Sequence, residues 1–126
     1  MLIAFNADGI AGKFAAMSPG DFDTLDFGVI GMDAETKVRL YNAHESKSAG
    51  LAPERVLGTP LFASVAACMN NFMVAQRFED MAAAATSLDA TIDYVLTLRM
   101  RPIPVKLRLI AEPEHVLRYV LIARAT

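Results

Sequence analysis

The chain has 126 residues, enough for one ordinary domain with a buried core, and 54% of them are hydrophobic while 21% are charged. This composition argues against a disordered chain, and a formal net charge of −2 gives no attraction to nucleic acid or anionic lipid. No apolar run reaches the roughly 18 residues of a membrane helix, so we expect no membrane span. Residues 1–5 have no basic flank and Asp8 follows them early, so we do not expect a secretory signal. The single cysteine cannot form an internal disulfide, which agrees with a reducing cytoplasm, the location that we predict.

The first residues predict a polar-decorated cap rather than part of a sheet. The segment Ser18-Pro19-Gly20-Asp21 has the composition of a turn, and it is flanked by Phe14 and Phe22. These two rings need an apolar surface to pack against. We therefore divide the single domain into an N-terminal cap, residues 1–25, and a core, residues 26–126.

Two strands follow the cap. Residues 27–32 form an apolar run typical of a buried strand, and residues 33–36 have the composition of a connecting turn. Residues 37–41 alternate polar and apolar side chains, which indicates a half-buried strand. The two runs predict a β-hairpin.

The middle of the chain predicts helices. Between residues 42 and 69, Gly50, Pro53, Gly58 and Pro60 interrupt any long element, so we expect short helical turns. Residues 70–71, two asparagines, can cap a longer helix. Its expected apolar stripe consists of Val74, Phe78, Met81, Ala82 and Ala85.

The last third carries the clearest strand signals. From Ile92 to Met100, apolar and polar residues alternate with a two-residue period, and so do residues 105–109. Residues 116–124 form a third apolar run. Two strands, several helices and three more strands predict an α+β domain with an antiparallel sheet, and a ligand pocket between the sheet and the short helices.

Few side chains outside the predicted core could do chemistry. Tyr41 ends a strand and Glu45 lies four residues on, so the phenol and the carboxyl group can face one spot. Cys68 precedes the predicted longer helix, whose N-terminus would favour a thiolate. No metal-binding spacing, phosphate loop or catalytic triad stands out, so we do not expect an enzyme.

The order of these elements is the PAS order, and the chain resembles the photoactive yellow protein family of blue-light photoreceptors over nearly its whole length. Each matching segment is short, and their common order and spacing make the resemblance specific. The segments are Asp26-Phe27-Gly28-Val29-Ile30, Leu40-Tyr41-Asn42-Ala43, Glu45, Val56-Leu57-Gly58, Val65-Ala66-Ala67-Cys68, Phe78, Tyr94, Met100 and Val105-Lys106.

The resemblance implies a PAS fold: a five-stranded antiparallel sheet with short helices on one side and an N-terminal cap. It also implies a p-coumaric acid chromophore held as a thioester on Cys68, with Tyr41 and Glu45 donating hydrogen bonds to its phenolate. In the family, photoisomerisation, proton transfer from the residue matched by Glu45 and partial unfolding give a signal. Met100 matches a methionine that assists thermal recovery, and Tyr94 matches an aromatic position on the same strand.

Several positions around this site depart from the family pattern. Ala49 replaces a threonine that supports the tyrosine, and Leu51 replaces an arginine that shields the chromophore from solvent. Ala67 stands where proline commonly precedes the cysteine, and Leu96 and Leu98 stand at two aromatic positions. The attachment and hydrogen-bonding trio is therefore retained while its surroundings are altered.

Two alternatives remain open on the sequence. The chain could be a non-photoactive PAS sensor or interaction module that binds another small ligand or acts through dimerisation. An enzymatic use of Cys68 is the weakest reading, because no histidine base lies in a recognisable motif. The expected partners are the covalent chromophore and a downstream signalling protein of unknown identity, with a homodimer open and neither nucleic acid nor membrane expected.

Overall fold

A computed structural model describes residues 3–97 and 102–124. Its centre is a five-stranded antiparallel sheet in the order β2-β1-β5-β4-β3. The strands are β1 (Gly28–Met32), β2 (Val38–Tyr41), β3 (Leu88–Leu96), β4 (Ile103–Ala111) and β5 (Arg118–Arg124). The α-helices are α1 (Ile10–Ala15), α2 (Pro19–Phe22), α3 (Ala43–Ala49), α4 (Pro53–Val56) and α5 (Ala75–Ala84), with a π-helical turn at Leu61–Val65 and a 3₁₀ turn at Ala67–Met69. The predicted α+β class and the order of elements are confirmed.

The two-residue periods predicted the strands well. β1 is buried along its whole length and pairs with β2, so the predicted hairpin is confirmed. In β3 the side chains of Ile92 and Tyr94 are half-buried and Leu96 is buried, while Asp93 and Val95 between them are exposed. The last part of the predicted strand, residues 98–101 with Leu98 and Met100, lies outside the described residues.

The sheet separates two hydrophobic clusters. The helices from α3 to α5 cover one face, which we call the inner face, where Val120 and Ile122 of β5 are buried. The cap covers the opposite, outer face, where Phe14 and Phe22 are buried against Tyr119. The Phe14 ring centroid lies 5.0 Å from that of Phe22 and 5.0 Å from that of Tyr119. The apolar surface that these two phenylalanines were expected to need is thus the outer face of the sheet.

One buried arginine fastens the start of the cap to the sheet. Nη1 of Arg108 in β4 donates to the carbonyl oxygens of Phe5 (2.9 Å) and Ala7 (2.8 Å). Its Nε and Nη2 each donate to the Asp89 carboxylate at 2.8 Å. The hydrogen bonds from Arg108 lower the pKa of Asp89, and the same pairing raises the pKa of Arg108. A single guanidinium therefore joins the cap to two strands.

The longer helix differs from its prediction at both ends. The Asn71 side chain accepts from the amides of Met73 and Val74 in a turn, and α5 begins only at Ala75. Val74 and Phe78 are buried as expected, but Ala82 and Ala85 are exposed, and Ala85 ends the helix in the left-handed conformation. The predicted stripe is wrong at its C-terminal end because the last turn of α5 extends away from the core. No helix among the described residues is long and apolar enough to cross a membrane.

Candidate functional site

Local structure brings Tyr41 and Glu45 together on the inner face. Tyr41 is the last residue of β2, and Asn42 caps α3 by accepting from the Glu45 amide at 3.1 Å. This cap turns the chain so that Glu45 points inward: its exposed fraction is 0%, and Tyr41 is also buried. A fully buried carboxyl group requires a partner, because an isolated charge in the core is costly.

Arg124 supplies that partner from the end of β5. Its Nη1 donates to Oε1 of Glu45 at 2.7 Å and its Nη2 donates to Oε2 at 3.0 Å. The planar guanidinium thus binds both carboxylate oxygens in a bidentate pair, which is the strongest geometry for these two groups. Nε of Arg124 is buried with no hydrogen-bond partner among the described residues.

The space for the Glu45 carboxyl exists because β1 carries a glycine beneath it. A Cβ atom added to Gly28 would lie 2.1 Å from Oε1 of Glu45 and 3.2 Å from its Cδ. Gly28 pairs with Ile122 across the β1–β5 ladder, and Arg124 lies two residues further along on the same face as Ile122. The register of this ladder therefore sets the guanidinium next to the carboxylate.

The Tyr41 hydroxyl lies in the electrostatic field of this pair. Burial, and then the negative charge of Glu45, raise the pKa of Tyr41 above its ordinary value, while the positive charge of Arg124 opposes the shift. No described residue forms a hydrogen bond with the Tyr41 hydroxyl. The Tyr41 hydroxyl therefore keeps its proton at neutral pH, and it does not donate this proton to any other described residue.

Cys68 lies in the 3₁₀ turn, half-buried, and packs against the same inner-face cluster that contains Tyr41. Its carbonyl oxygen accepts from the Tyr94 hydroxyl at 2.5 Å and from Nδ2 of Asn71 at 3.1 Å. Nδ2 of Asn71 also lies 2.6 Å from the Tyr94 hydroxyl, so these three residues form one network. The expectation that Cys68 sits at the N-terminus of the long helix is wrong, because the turn at residues 71–74 separates it from α5.

Comparisons with known proteins place this chain in a family. No protein-family model matches the chain. It is 34% identical over 108 residues to the photoactive yellow protein of Halochromatium salexigens, and 32% identical over 108 residues to that of Rhodothalassium salexigens. In both cases the match covers 86% of this chain and 86% of the relative. The chain belongs to the photoactive yellow protein family.

Solved structures agree with this membership. The photoactive yellow protein domain of the sensor histidine kinase Ppr from Rhodospirillum centenum superposes with a TM-score of 0.81 at 31% identity, covering 90% of this chain and 98% of that one. The PAS domain of Bordetella pertussis BvgS, at 15% identity and a TM-score of 0.60, covers 94% of this chain and 88% of that one and shares the fold alone. The protein is thus a PAS sensory module of the photoactive yellow protein family. Members of this class generally act as sensors and not as enzymes.

The positions where this member departs from the photoactive yellow protein pattern lie at different depths. Leu96 is buried at the end of β3 and belongs to the inner-face cluster with Tyr94. Ala49 is half-buried at the end of α3, whereas Ala67 and Leu51 are exposed. Met100, the remaining site residue expected from the family, lies outside the described residues.

Sequence reasoning did not assign Arg124 to the site of this family member. A signal was present: Arg124 has the same two-residue phase along β5 as Val120 and Ile122, which puts a charged side chain on the face of these two apolar residues. Asn42 was also given no role of its own, although its side chain bonds four backbone groups. Within residues 3–97 and 102–124, no cluster of three or more His, Cys, Asp or Glu side chains could hold a metal ion.

Proposed function

We propose that the protein is a blue-light receptor that carries p-coumaric acid as a thioester on Cys68, with Tyr41 and Glu45 as the groups that bind the phenolate. The observation that carries this proposal is the inner-face arrangement: a buried acid beside a tyrosine hydroxyl that no other described residue bonds, in the core on which the single cysteine packs. A phenolate in an apolar core needs such donors to remain ionised. Tyr41 is such a donor as it stands, and Glu45 becomes one when it carries a proton, so these residues fit the group.

When bound, the p-coumaroyl group supplies absorption of blue light and isomerisation of its double bond. The protein residues have separate tasks: the Cys68 sulfur is acylated, the Tyr41 hydroxyl donates a hydrogen bond, and Glu45 holds a proton at a carboxyl oxygen and releases it. Loss of that proton leaves a charge in the core, which costs several kcal/mol unless it is paired. This is a large fraction of the ~5–15 kcal/mol stability of an ordinary domain.

Asn42 is the route by which such a change would reach the cap. Its Oδ1 accepts from the amides of Glu45 and Val29, and its Nδ2 donates to the carbonyls of Phe22 and Phe27, both at 3.0 Å. A shift of Glu45 therefore strains bonds that hold the end of the cap. Partial unfolding of the cap around Phe14 and Phe22 would be the signal to a downstream protein.

Attachment at Cys68 is the first test. We expect that activated p-coumaric acid increases the mass of the intact chain by one coumaroyl group and produces a yellow band, because the half-buried thiol can be acylated. The Cys68→Ala variant should take up nothing and stay colourless. A yellow wild-type protein with unmodified Cys68, or no acylation at all, would contradict the proposal.

The altered position 49 gives a second test. Threonine at this position can donate a hydrogen bond toward Tyr41 and so help stabilise the phenolate. In the loaded protein, Ala49→Thr should therefore move the acid titration of the yellow band to lower pH, by up to about one unit for one neutral hydrogen bond. Ala52→Thr, the same change at an exposed position, is the matched control. An Ala49→Thr titration that coincides with the wild type would count against Tyr41 as a phenolate ligand.

The rival function is that of a PAS module that binds a different small ligand. The Glu45–Arg124 pair favours it, because a paired carboxylate and guanidinium can bind a polar ligand head group without any pigment. Colour distinguishes the two functions: only the photoreceptor becomes yellow with activated p-coumaric acid and loses that band in the Cys68→Ala variant.

A further inference from the structure

The environment of Glu45 contains a group that the family-based assignment of the phenolate site does not include. The Glu45 side chain is 1% exposed and the Arg124 side chain 15% exposed, with 2.7 Å between Nη1 and Oε1. Both carboxylate oxygens accept from the guanidinium, which is the bidentate arrangement in which an ionised carboxylate pairs with arginine. This geometry is that of an ionised acid.

The other neighbours of the acid among the described residues lie on three elements. From β2 the Tyr41 hydroxyl couples to Glu45, from β1 the neighbour is Gly28, and on α3 itself His44 precedes the acid. Tyr41 stays neutral because its pKa is raised, and Gly28 carries no charge. Among these groups, Arg124 is the one cation in hydrogen-bond contact with the carboxylate.

We infer that Arg124 is the counter-ion that decides whether Glu45 carries a proton: with the guanidinium in place the acid is ionised, and without it the acid is neutral. A carboxylate that loses its partner in a low-dielectric core takes a proton from solvent instead of remaining charged. Arg124 also lines a surface cleft of about 320 Å³ together with Val105 and Lys106.

This inference rests on the proposed function for its consequence. A phenolate next to Glu45 places a second negative charge in the site, and two adjacent anions do not both stay ionised. Loading of Cys68 should therefore add a proton from solvent to a Glu45 oxygen and weaken its bond to Arg124. When Glu45 later releases that proton, Arg124 is the cation able to pair with the new carboxylate.

Infrared spectroscopy of the pigment-free protein tests the inference without any pigment. The probe is the C=O stretch of a neutral carboxylic acid, assigned to Glu45 by its loss in Glu45→Gln. At neutral pH the wild type and Arg124→Lys should lack this band, and Arg124→Gln should show it. Arg39→Gln, which removes an arginine from the exposed ion pair with Asp33, should leave the spectrum unchanged. A Glu45 acid band in the wild type would overturn the inference even if Arg124→Gln fails to fold.

Stability against pH gives an independent measurement in the same variant. If Glu45 of Arg124→Gln is neutral when folded, its folded pKa exceeds that of the unfolded chain, so stability is greatest at low pH and decreases as pH rises. Relative to the wild type, the unfolding equilibrium constant should then increase by up to about tenfold per pH unit above pH ~4.3, the ordinary glutamate value. A constant ratio between pH 5 and 7 would contradict the inference.

The loaded protein supplies the last comparison. Attachment at Cys68 should make the Glu45 acid band appear in the wild type, while in Arg124→Gln the band is present before and after attachment. If Cys68 is not acylated, the proposed function fails while the pigment-free spectra still decide the role of Arg124. If acylation succeeds and the wild-type Glu45 band does not appear, the inferred proton uptake and the role of Glu45 as a proton donor are both wrong, while attachment at Cys68 stands.

Discussion

Replacement of Asn42 by alanine is expected to destabilise the protein by about 3–6 kcal/mol. The variant leaves the Val29 amide and the Phe27 carbonyl without their side-chain partner in a buried region, while the Phe22 carbonyl keeps its bond from the Leu25 amide. Each orphaned buried group costs roughly 1–3 kcal/mol, and the cap of α3 is lost in addition. Urea unfolding at neutral pH measures the effect.

Two variants bracket this prediction. Asn42→Asp keeps an oxygen for the amides of Val29 and Glu45 but places an acceptor opposite the carbonyls of Phe22 and Phe27, so it should also destabilise the protein. Asn70→Ala, at an exposed asparagine, should change the free energy of unfolding by less than about 0.5 kcal/mol. An Asn42→Ala protein as stable as Asn70→Ala would show that the buried hydrogen-bond network does not contribute to the free energy of unfolding.

Replacement of Arg108 by methionine is expected to release the start of the cap while the sheet stays folded. The change removes charge-assisted bonds to the Phe5 and Ala7 carbonyls, each of a kind that contributes about 1.5–3 kcal/mol. Backbone amides in the first part of the cap should exchange with solvent deuterium about tenfold to a hundredfold faster, while amides of β5 keep their protection. Hydrogen exchange followed by mass spectrometry measures both regions in one experiment.

The chain offers a matched control two residues away on β4. Lys106 forms an ion pair with Asp93 across the same two strands, but both side chains are mostly exposed, at 62% and 87%. Such a pair contributes little, so Lys106→Met should leave cap exchange unchanged. Equal exchange in both variants would mean that the cap is held by its apolar contacts alone.

Most of the fold could be predicted because its signals are local. Alternation along residues 91–96 and 105–109 records which side chains face the core, and that choice is made within each strand. The ends of α5 were predicted less well. The Asn71 side chain forms a turn and bonds Tyr94, 23 residues away, and no local pattern shows that second bond.

The candidate site divides in the same way. The proximity of Tyr41 and Glu45 could be predicted from the sequence because the two residues are four positions apart at the start of a helix. The pairing of Glu45 with Arg124 spans 79 residues and depends on the β1–β5 register. That register is a tertiary feature, so sequence alone gave an inward charge on β5 without its partner.

Gly28 has a consequence for redesign of this domain. Since a methyl group at that position would occupy the place of a Glu45 oxygen, the two positions are sterically coupled and cannot be enlarged independently. A library that randomises position 28 with Glu45 fixed should return almost only glycine. Larger residues become acceptable at position 28 once residue 45 is shortened. Shortening residue 45 removes the carboxyl group, and its ion pair with Arg124 is then lost as well.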